Sequence, residues 1–313
     1  MIQLSLGEIA KALDGRLVAP AAHSLDDVLV TGSVETDSRL ISKGSLFFAR
    51  PGEVTDGHLF VKSARELGAV AAVVDHTVDS AIAQIVVDDV TLALGKLAKY
   101  VLARIREASD LKVIGITGSN GKTTTKNMLR EILSKVGETI APIESYNNEV
   151  GTPISILKAD AVTKFLVVEL GAGGPGSIAY LADIAKPDIA VMLKVGLAHV
   201  GEFGGIEGTA KIKGELTSAL TTDNLMIGNA DDGYIRDMPT KAKQIWFGTA
   251  PDAGYRATDL QLNIEGTSFE MHWPIGEVER ITLRILGEHH VMNALAACAV
   301  ADQLGVSHAL IKD

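Results

Sequence analysis

The sequence predicts an α/β protein of two domains, and three observations carry that expectation. Apolar strands alternate with amphipathic helices along nearly all of the 313 residues. In the second half the strands are continuous apolar runs, the pattern of a mostly parallel sheet covered on both faces. From 257 to 286 the alternation gives way to closely spaced short strands, TSFEMHW and RITLRIL, which predict a small β-meander.

Each element follows from its local pattern. MIQLSLGEIAKALDG reads as an amphipathic helix closed by Gly15, and it lacks the basic start and apolar core of a secretory signal. FVKSARELGAVAAVVD is a helix with a glycine stop at Gly68, then a strand. AIAQIVVDD and TLALGKLAKYVLARIREAS follow as strand and helix. The polar REASDLK then separates this region from the strand VIGIT, so the expected domains are 1–108 and 109–313. The second domain continues with the helix KTTTKNMLREILSKVG, the strand ETIAP, the polar turn ESYNNEVGTP and the strand KFLVVELG. SIAYLADIAK, DIAVMLKV, IEGTAKIKGELTSAL and NLMIGN alternate as helix, strand, helix and strand, and HHVMNALAACAVADQLG is the last helix.

Composition narrows the function. Hydrophobic residues make up 47% and charged residues 22%, the balance of a globular chain. The run IAVMLKVGLA is broken by Lys194 and Gly196 before it could span a bilayer, so no membrane insertion is expected. A net charge of −10 argues against broad nucleic-acid binding. The single cysteine, Cys298, excludes an internal disulfide framework, and within ALAACAVA it reads as a core thiol. A soluble cytoplasmic protein is the expectation.

The chemistry centres on LKVIGITGSNGKTTTKN, which departs from the common phosphate-loop pattern G-x-x-x-x-G-K-[ST] by one residue. That pattern needs glycine where Ile116 stands, and Gly115 comes one place early. The context still suits a phosphate cradle. An apolar strand leads into Gly115, Gly118 and Gly121, and a helix opens at Lys122. Lys122 would reach the β- and γ-phosphates, and Thr123 would offer a hydroxyl to Mg²⁺. Glu169 ends the apolar strand KFLVVE and is followed by a glycine-rich turn, a position that suits an Mg²⁺ ligand at the carboxyl edge of a sheet. His199 follows the next strand, where a structural histidine is the commoner reading. Lys213 in AKIKGEL reads as a solvated lysine, and Asn147, Asn148 and Glu149 read as a polar turn.

GITGSNGKTTTK, ESYNNEVGTP, VVELGAG, GLAHVGEFGG, AKIKGEL, NADD and GEHHVMNALAA, in this order, resemble the Mur ligase family. TDSRLISKGSLFFARPGEVTDGHLFVKSARELGA is similar to that family's uridine-nucleotide domain. The resemblance implies a uridine-nucleotide-binding domain followed by a central P-loop ATPase domain, in a monomer. YNNEVGTP implies the member that joins D-alanyl-D-alanine to UDP-N-acetylmuramoyl-tripeptide, with ATP and two Mg²⁺ ions. It also explains the loop, since the family uses G-x-x-G-x-x-G-K-[ST]. By resemblance Gly118, Ser119, Asn120, Gly121, Lys122, Thr123 and Thr124 hold ATP, and Asn293 lies near adenine. The resemblance likewise implies that Thr123, Glu169 and His199 bind metal. Lys213 matches a lysine that becomes carbamylated and so turns into an oxygen ligand. Lys122, His199 and Lys213 are the implied catalytic residues, and Ser38, Arg39, Asn147, Asn148 and Thr152 the implied substrate contacts.

Two departures stand out. His290 replaces an asparagine that many relatives carry, and the chain stops at GVSHALIKD, where the family begins a C-terminal domain that closes over ATP. Without that domain, weakened turnover is the expectation. Two other readings compete: a folylpolyglutamate synthetase, which the uridine-nucleotide segment disfavours, and a non-catalytic nucleotide-binding module.

Overall fold

A computed structural model describes residues 1–19, 25–52, 55–142, 145–196, 203–264 and 266–312. Two compact units divide the chain, one of residues 1–110 with 149–162 and the other of 111–148 with 163–313.

In the first unit, β1 (Leu4–Ser5) pairs with β3 (Leu29–Val30). A second sheet takes the order β2-β7-β6-β5-β4. It is built from β2 (Arg16–Val18), β4 (Val34–Glu35), β5 (Leu46–Phe48), β6 (Ala71–Val74) and β7 (Ala83–Val86). Its pairs are parallel except β2 with β7. The helices are α1 (Leu6–Ala12), α2 (Val61–Glu66) and α3 (Val90–Ala108). α1 is shorter than MIQLSLGEIAKALDG suggests, for a local reason. Ser5 and Glu8 form a reciprocal capping box, which starts the helix at Leu6 and leaves Leu4 and Ser5 to pair as strand. At the other end Asp14 adopts φ 54°, and the Gly15 amide donates to the Ala10 carbonyl. The buried His58 pins the turn before α2 to the end of β6. Its Nδ1 lies 2.7 Å from Asp56 Oδ1, and its Nε2 accepts from the Asp75 amide at 3.3 Å.

In the second unit the described residues form a nine-stranded sheet of order β16-β15-β14-β13-β12-β11-β8-β10-β9. Seven strands run parallel: β8 (Lys112–Thr117), β9 (Thr139–Ile140), β10 (Phe165–Glu169), β11 (Ile189–Met192), β12 (Leu225–Asn229), β13 (Lys243–Gly248) and β14 (Tyr255–Asn263). β15 (Gly266–His272) and β16 (Val278–Leu283) continue it antiparallel. The expected meander is therefore the far edge of the same sheet. Apolar alternation gives no signal for β13, whose first residues, Lys243 and Gln244, are exposed.

The helices of this unit are α4 (Lys122–Leu133), α6 (Ser177–Ala185), α7 (Ile206–Ser218), α8 (Gly233–Arg236), α9 (Glu288–Gln303) and α10 (His308–Lys312). Between β9 and β10 the chain supplies α5 (Gly151–Ile156), which packs on α3 in the first unit. The sequence suggests only a turn at 147–153, but Pro153 falls in the first helical turn, where its missing amide costs nothing. All six residues of α5 are buried. α9 is apolar on every side because it lies between α4 and strands β12–β15. Cys298 sits there as a core thiol, its pKa pushed up to about 12 by burial. No helix among the described residues is long and apolar enough to cross a membrane.

β8 is central, with β10 on one side and β11 on the other. Strand order reverses there, and in an open parallel sheet the carboxyl ends flanking such a switch point form a crevice.

Candidate active site at the sheet switch point

The loop after β8 is braced from both neighbouring strands. Thr117 Oγ1 donates to the Leu170 carbonyl beyond β10 at 2.8 Å. Beyond β11, the Leu193 amide donates to the Thr117 carbonyl and the Ser119 amide to the Lys194 carbonyl. The Gly196 amide donates to Ser119 Oγ at 2.8 Å. These bonds hold Gly118–Asn120 in one path, and Gly121 then turns the chain into α4 with φ +88°. A Cβ on Gly121 would lie 2.3 Å from Asn293 Oδ1, so only glycine lets the buried Asn293 of α9 approach the loop.

No described side chain caps the first amides of α4. An uncapped helix start with its dipole exposed is an anion site. Lys122 supports it. Its Nζ donates to the Gly118 carbonyl at 2.8 Å, folded over the loop. Burial lowers its pKa, and the nearby Glu169 partly offsets that. Thr123 and Thr124 follow in the first turn, both partly buried.

Beneath the loop the charges converge. Glu169, at the end of β10, is 1% exposed. Its Oε1 lies 2.8 Å from Lys126 Nζ, and its Oε2 accepts from Ser145 Oγ at 3.0 Å. Lys213 of α7, whose local pattern alone reads as solvated, is buried. Its pKa falls to about 8, first through burial and second through the Lys122 ammonium. Thr123 and Glu169 are hard oxygen donors that fit Mg²⁺. Lys213 fits a cation only after its amine has become a carbamate. His199 lies outside the described residues.

Alongside the loop is a cleft of about 410 Å³. Asn120, Gly121 and Asn293 line one part of it, and Asn229, Asp231 and Thr249 another. The motif NADD after β12 builds that second wall. Asn229 Nδ2 donates to the Leu193 carbonyl, and the Asp231 carboxylate accepts from the Thr249 amide, the Thr249 hydroxyl and the Ala250 amide. Asp232 caps α8 and accepts from the Val195 amide at 2.8 Å. Leu260 and Met292 supply apolar surface, so the cleft combines apolar walls with a few polar groups, the mixture of a small-molecule site. His289 lines the cleft, and the His290 ring lies tilted against it at 4.0 Å between centroids. Burial and His289 lower the His290 pKa.

The structure thus brings Gly118–Thr124, Glu169, Lys213 and Asn293 together in one unit. Asn147 joins them, since its carbonyl accepts from the Gly171 amide at 2.7 Å and its Nδ2 donates to Ser145. Asn148 follows it, exposed. Ser38, Arg39 and Thr152 belong to the other unit. Ser38 and Arg39 form a 3-10 turn capped by Asp37, and the exposed Arg39 guanidinium is clamped by the Asp37 carboxylate. Thr152 is fully buried within α5.

Sequence reasoning missed Lys126, Ser145 and Thr249, and it quoted Asn229 and Asp231 within NADD without giving either a role. For Lys126 a signal existed: it stands four residues after Lys122, hence on the same helix face. Ser145, the NADD segment and Thr249 come from three separate stretches of chain, and only folding brings them to this edge of the sheet.

Comparison with known proteins places the chain in a family. Residues 116–301 match the family described as Mur ligase middle domain, and residues 31–101 match the Mur ligase family catalytic domain. The chain is 37% identical over 342 aligned positions to the UDP-N-acetylmuramoyl-tripeptide--D-alanyl-D-alanine ligase of Mycobacterium leprae, covering 98% of this chain and 66% of that one. A crystal structure of MurF from Acinetobacter baumannii superposes with a TM-score of 0.89 at 34% identity, covering 99% of this chain and 67% of that chain. MurF ligase from Thermotoga maritima, solved in complex with ADP, gives 0.79 at 29% identity, over 91% and 66% of the two chains. The chain spans about two thirds of the length of the curated relatives it matches.

Proposed function

The chain belongs to the Mur ligase family, and from that premise we propose that it carries the nucleotide-binding and activating machinery of an ATP-dependent amide ligase. The reaction joins D-alanyl-D-alanine to UDP-N-acetylmuramoyl-tripeptide. One observation carries the reading: Lys122, Glu169 and Lys213 converge under an uncapped helix start at the switch point of the sheet. The substrates follow from the names of the relatives.

In this reading the α4 amides and Lys122 bind the ATP phosphates, and the cleft beside Asn293 takes the nucleoside. Transfer of the γ-phosphoryl group of ATP to the tripeptide carboxylate gives ADP and an acyl phosphate. Attack of the dipeptide amine on the acyl carbon then gives the amide and releases phosphate. Such transfer depends on positioning and charge neutralisation more than on covalent help. Mg²⁺, when bound, supplies further neutralisation of phosphate charge. Thr123, Glu169 and a carbamylated Lys213 would hold it, with His199 as a further ligand. Ser38, Arg39, Asn147, Asn148 and Thr152 belong to the sugar-peptide side of the reading.

The test is to incubate the chain with ATP, Mg²⁺, UDP-muramoyl-tripeptide and D-alanyl-D-alanine, measuring phosphate and pentapeptide separately. Phosphate release stimulated by the tripeptide nucleotide is expected. Release indifferent to it, with no calorimetric binding of it, would count against the substrate assignment.

Lys213 yields a second prediction. A carbamate forms from the neutral amine, and with a pKa of about 8 that form becomes abundant near pH 8. An ordinary lysine would need a pH above 10 or so. Uptake of one CO₂ per chain from bicarbonate should therefore rise between pH 7 and 9, as seen by native mass spectrometry, and vanish in Lys213→Met. The same shift sets a stability trend. The folded pKa lies below the unfolded one, so the buried ammonium destabilises the fold below pH 8, and stability rises with pH above that value until the unfolded lysine also titrates. A flat bicarbonate response across this range would sink the carbamate reading.

A further inference from the structure

A buried ion pair lies beneath the phosphate loop, and it uses a lysine that the loop motif does not require. Lys126 and Glu169 have side chains 2% and 1% exposed, with Nζ and Oε1 2.8 Å apart. We infer that Lys126 is a positioning residue that holds the Glu169 carboxylate in the absence of a divalent cation and competes with that cation for it. The inference rests on the reading of Glu169 as a cation ligand.

Three features carry it. A carboxylate buried this deeply needs a compensating positive charge, and within the fold Lys126 supplies one. The two lysines of α4 divide the work although they share a helix face. Lys122 Nζ turns to the Gly118 carbonyl in the loop, whereas Lys126 Nζ turns inward to Glu169. Third, the carboxylate is held at both oxygens, since Ser145 Oγ donates to Oε2 while the ammonium sits at Oε1. Its orientation is therefore set before any cation arrives. A fixed ammonium at that distance also repels an incoming divalent cation. Occupancy then becomes favourable chiefly when a polyphosphate on the neighbouring loop adds negative charge. Lys126 in this way couples cation binding to nucleotide binding.

The test measures Mn²⁺ affinity of the full chain by electron paramagnetic resonance, without nucleotide and with ADP. Lys126→Met should tighten nucleotide-free Mn²⁺ binding about tenfold, equivalent to about 1.4 kcal/mol, and Mn²⁺ should raise its melting temperature more than that of the unaltered chain. The double variant Lys126→Met, Glu169→Gln should lose the gain. A merely structural ion pair would lower the melting temperature of Lys126→Met and leave Mn²⁺ affinity unchanged, and that result overturns the inference. If Lys126→Met does not fold, Lys126→Arg decides. Its guanidinium can grip the carboxylate bidentately and should weaken Mn²⁺ binding several-fold. Equal or tighter binding in that variant overturns the inference too. If the double variant keeps the tightened binding, the cation does not sit at Glu169, and the reading of that residue fails together with the inference.

Discussion

Lys122→Ala is expected to reduce ATP and ADP affinity by about 100-fold or more, since each charge-assisted hydrogen bond to phosphate contributes roughly 1.5–3 kcal/mol and one ammonium makes more than one. The fold should survive. Burial already lowers the pKa of this lysine, so its charged form is held at some cost in the nucleotide-free protein. Truncation removes that cost along with one hydrogen bond to the Gly118 carbonyl. Calorimetry against ADP and a thermal melt separate the two effects. A melting temperature within a few degrees of the unaltered chain, with affinity nearly abolished, is the expected pair of results. Unchanged affinity in a folded variant would remove the loop after β8 as the nucleotide site.

Gly121→Ala should damage both stability and binding. At φ +88° an added Cβ costs about 1–2 kcal/mol in backbone strain alone. That Cβ would also stand 2.3 Å from Asn293 Oδ1, so the loop or α9 must move. Asn293 is 5% exposed and packed against the loop, so it has little room to give way. The double variant Gly121→Ala, Asn293→Ala separates the contributions. It should recover the steric part of the lost stability and retain the backbone part. A single variant with unaltered melting temperature and ADP affinity would show that the close approach of loop and α9 has no role in holding the site.

These two positions show how much of the site was legible before folding. Glycine spacing followed by G-K-T-T, between an apolar strand and a helix, locates a loop whose backbone can face an anion, because that property is local. From β8 onward the order of the main strands and helices was equally readable, since burial on both faces writes itself into each strand as a continuous apolar run. By contrast, β2–β5 of the first unit are two or three residues long and carry no such run. The exceptions have physical causes. β13 begins with exposed polar residues, and α5 is a short helix whose Gly151 and Pro153 read as turn residues while its burial comes from α3.

Lys213 and Lys126 mark the boundary between the two kinds of information. In the linear chain each is a lysine on an amphipathic helix, where solvent is the default surrounding. Their surroundings come from elements distant in sequence. Lys213 loses water and feels Lys122, and Lys126 meets a carboxylate at the end of β10. The sequence by itself determined the α/β alternation and the loop, because backbone propensity acts over a few neighbouring positions. Only the tertiary structure decided which lysine is depressed in pKa, which one is paired and which one covers the loop. Desolvation and Coulomb interaction depend on distances across the fold, and the spacing of residues along the chain does not set those distances.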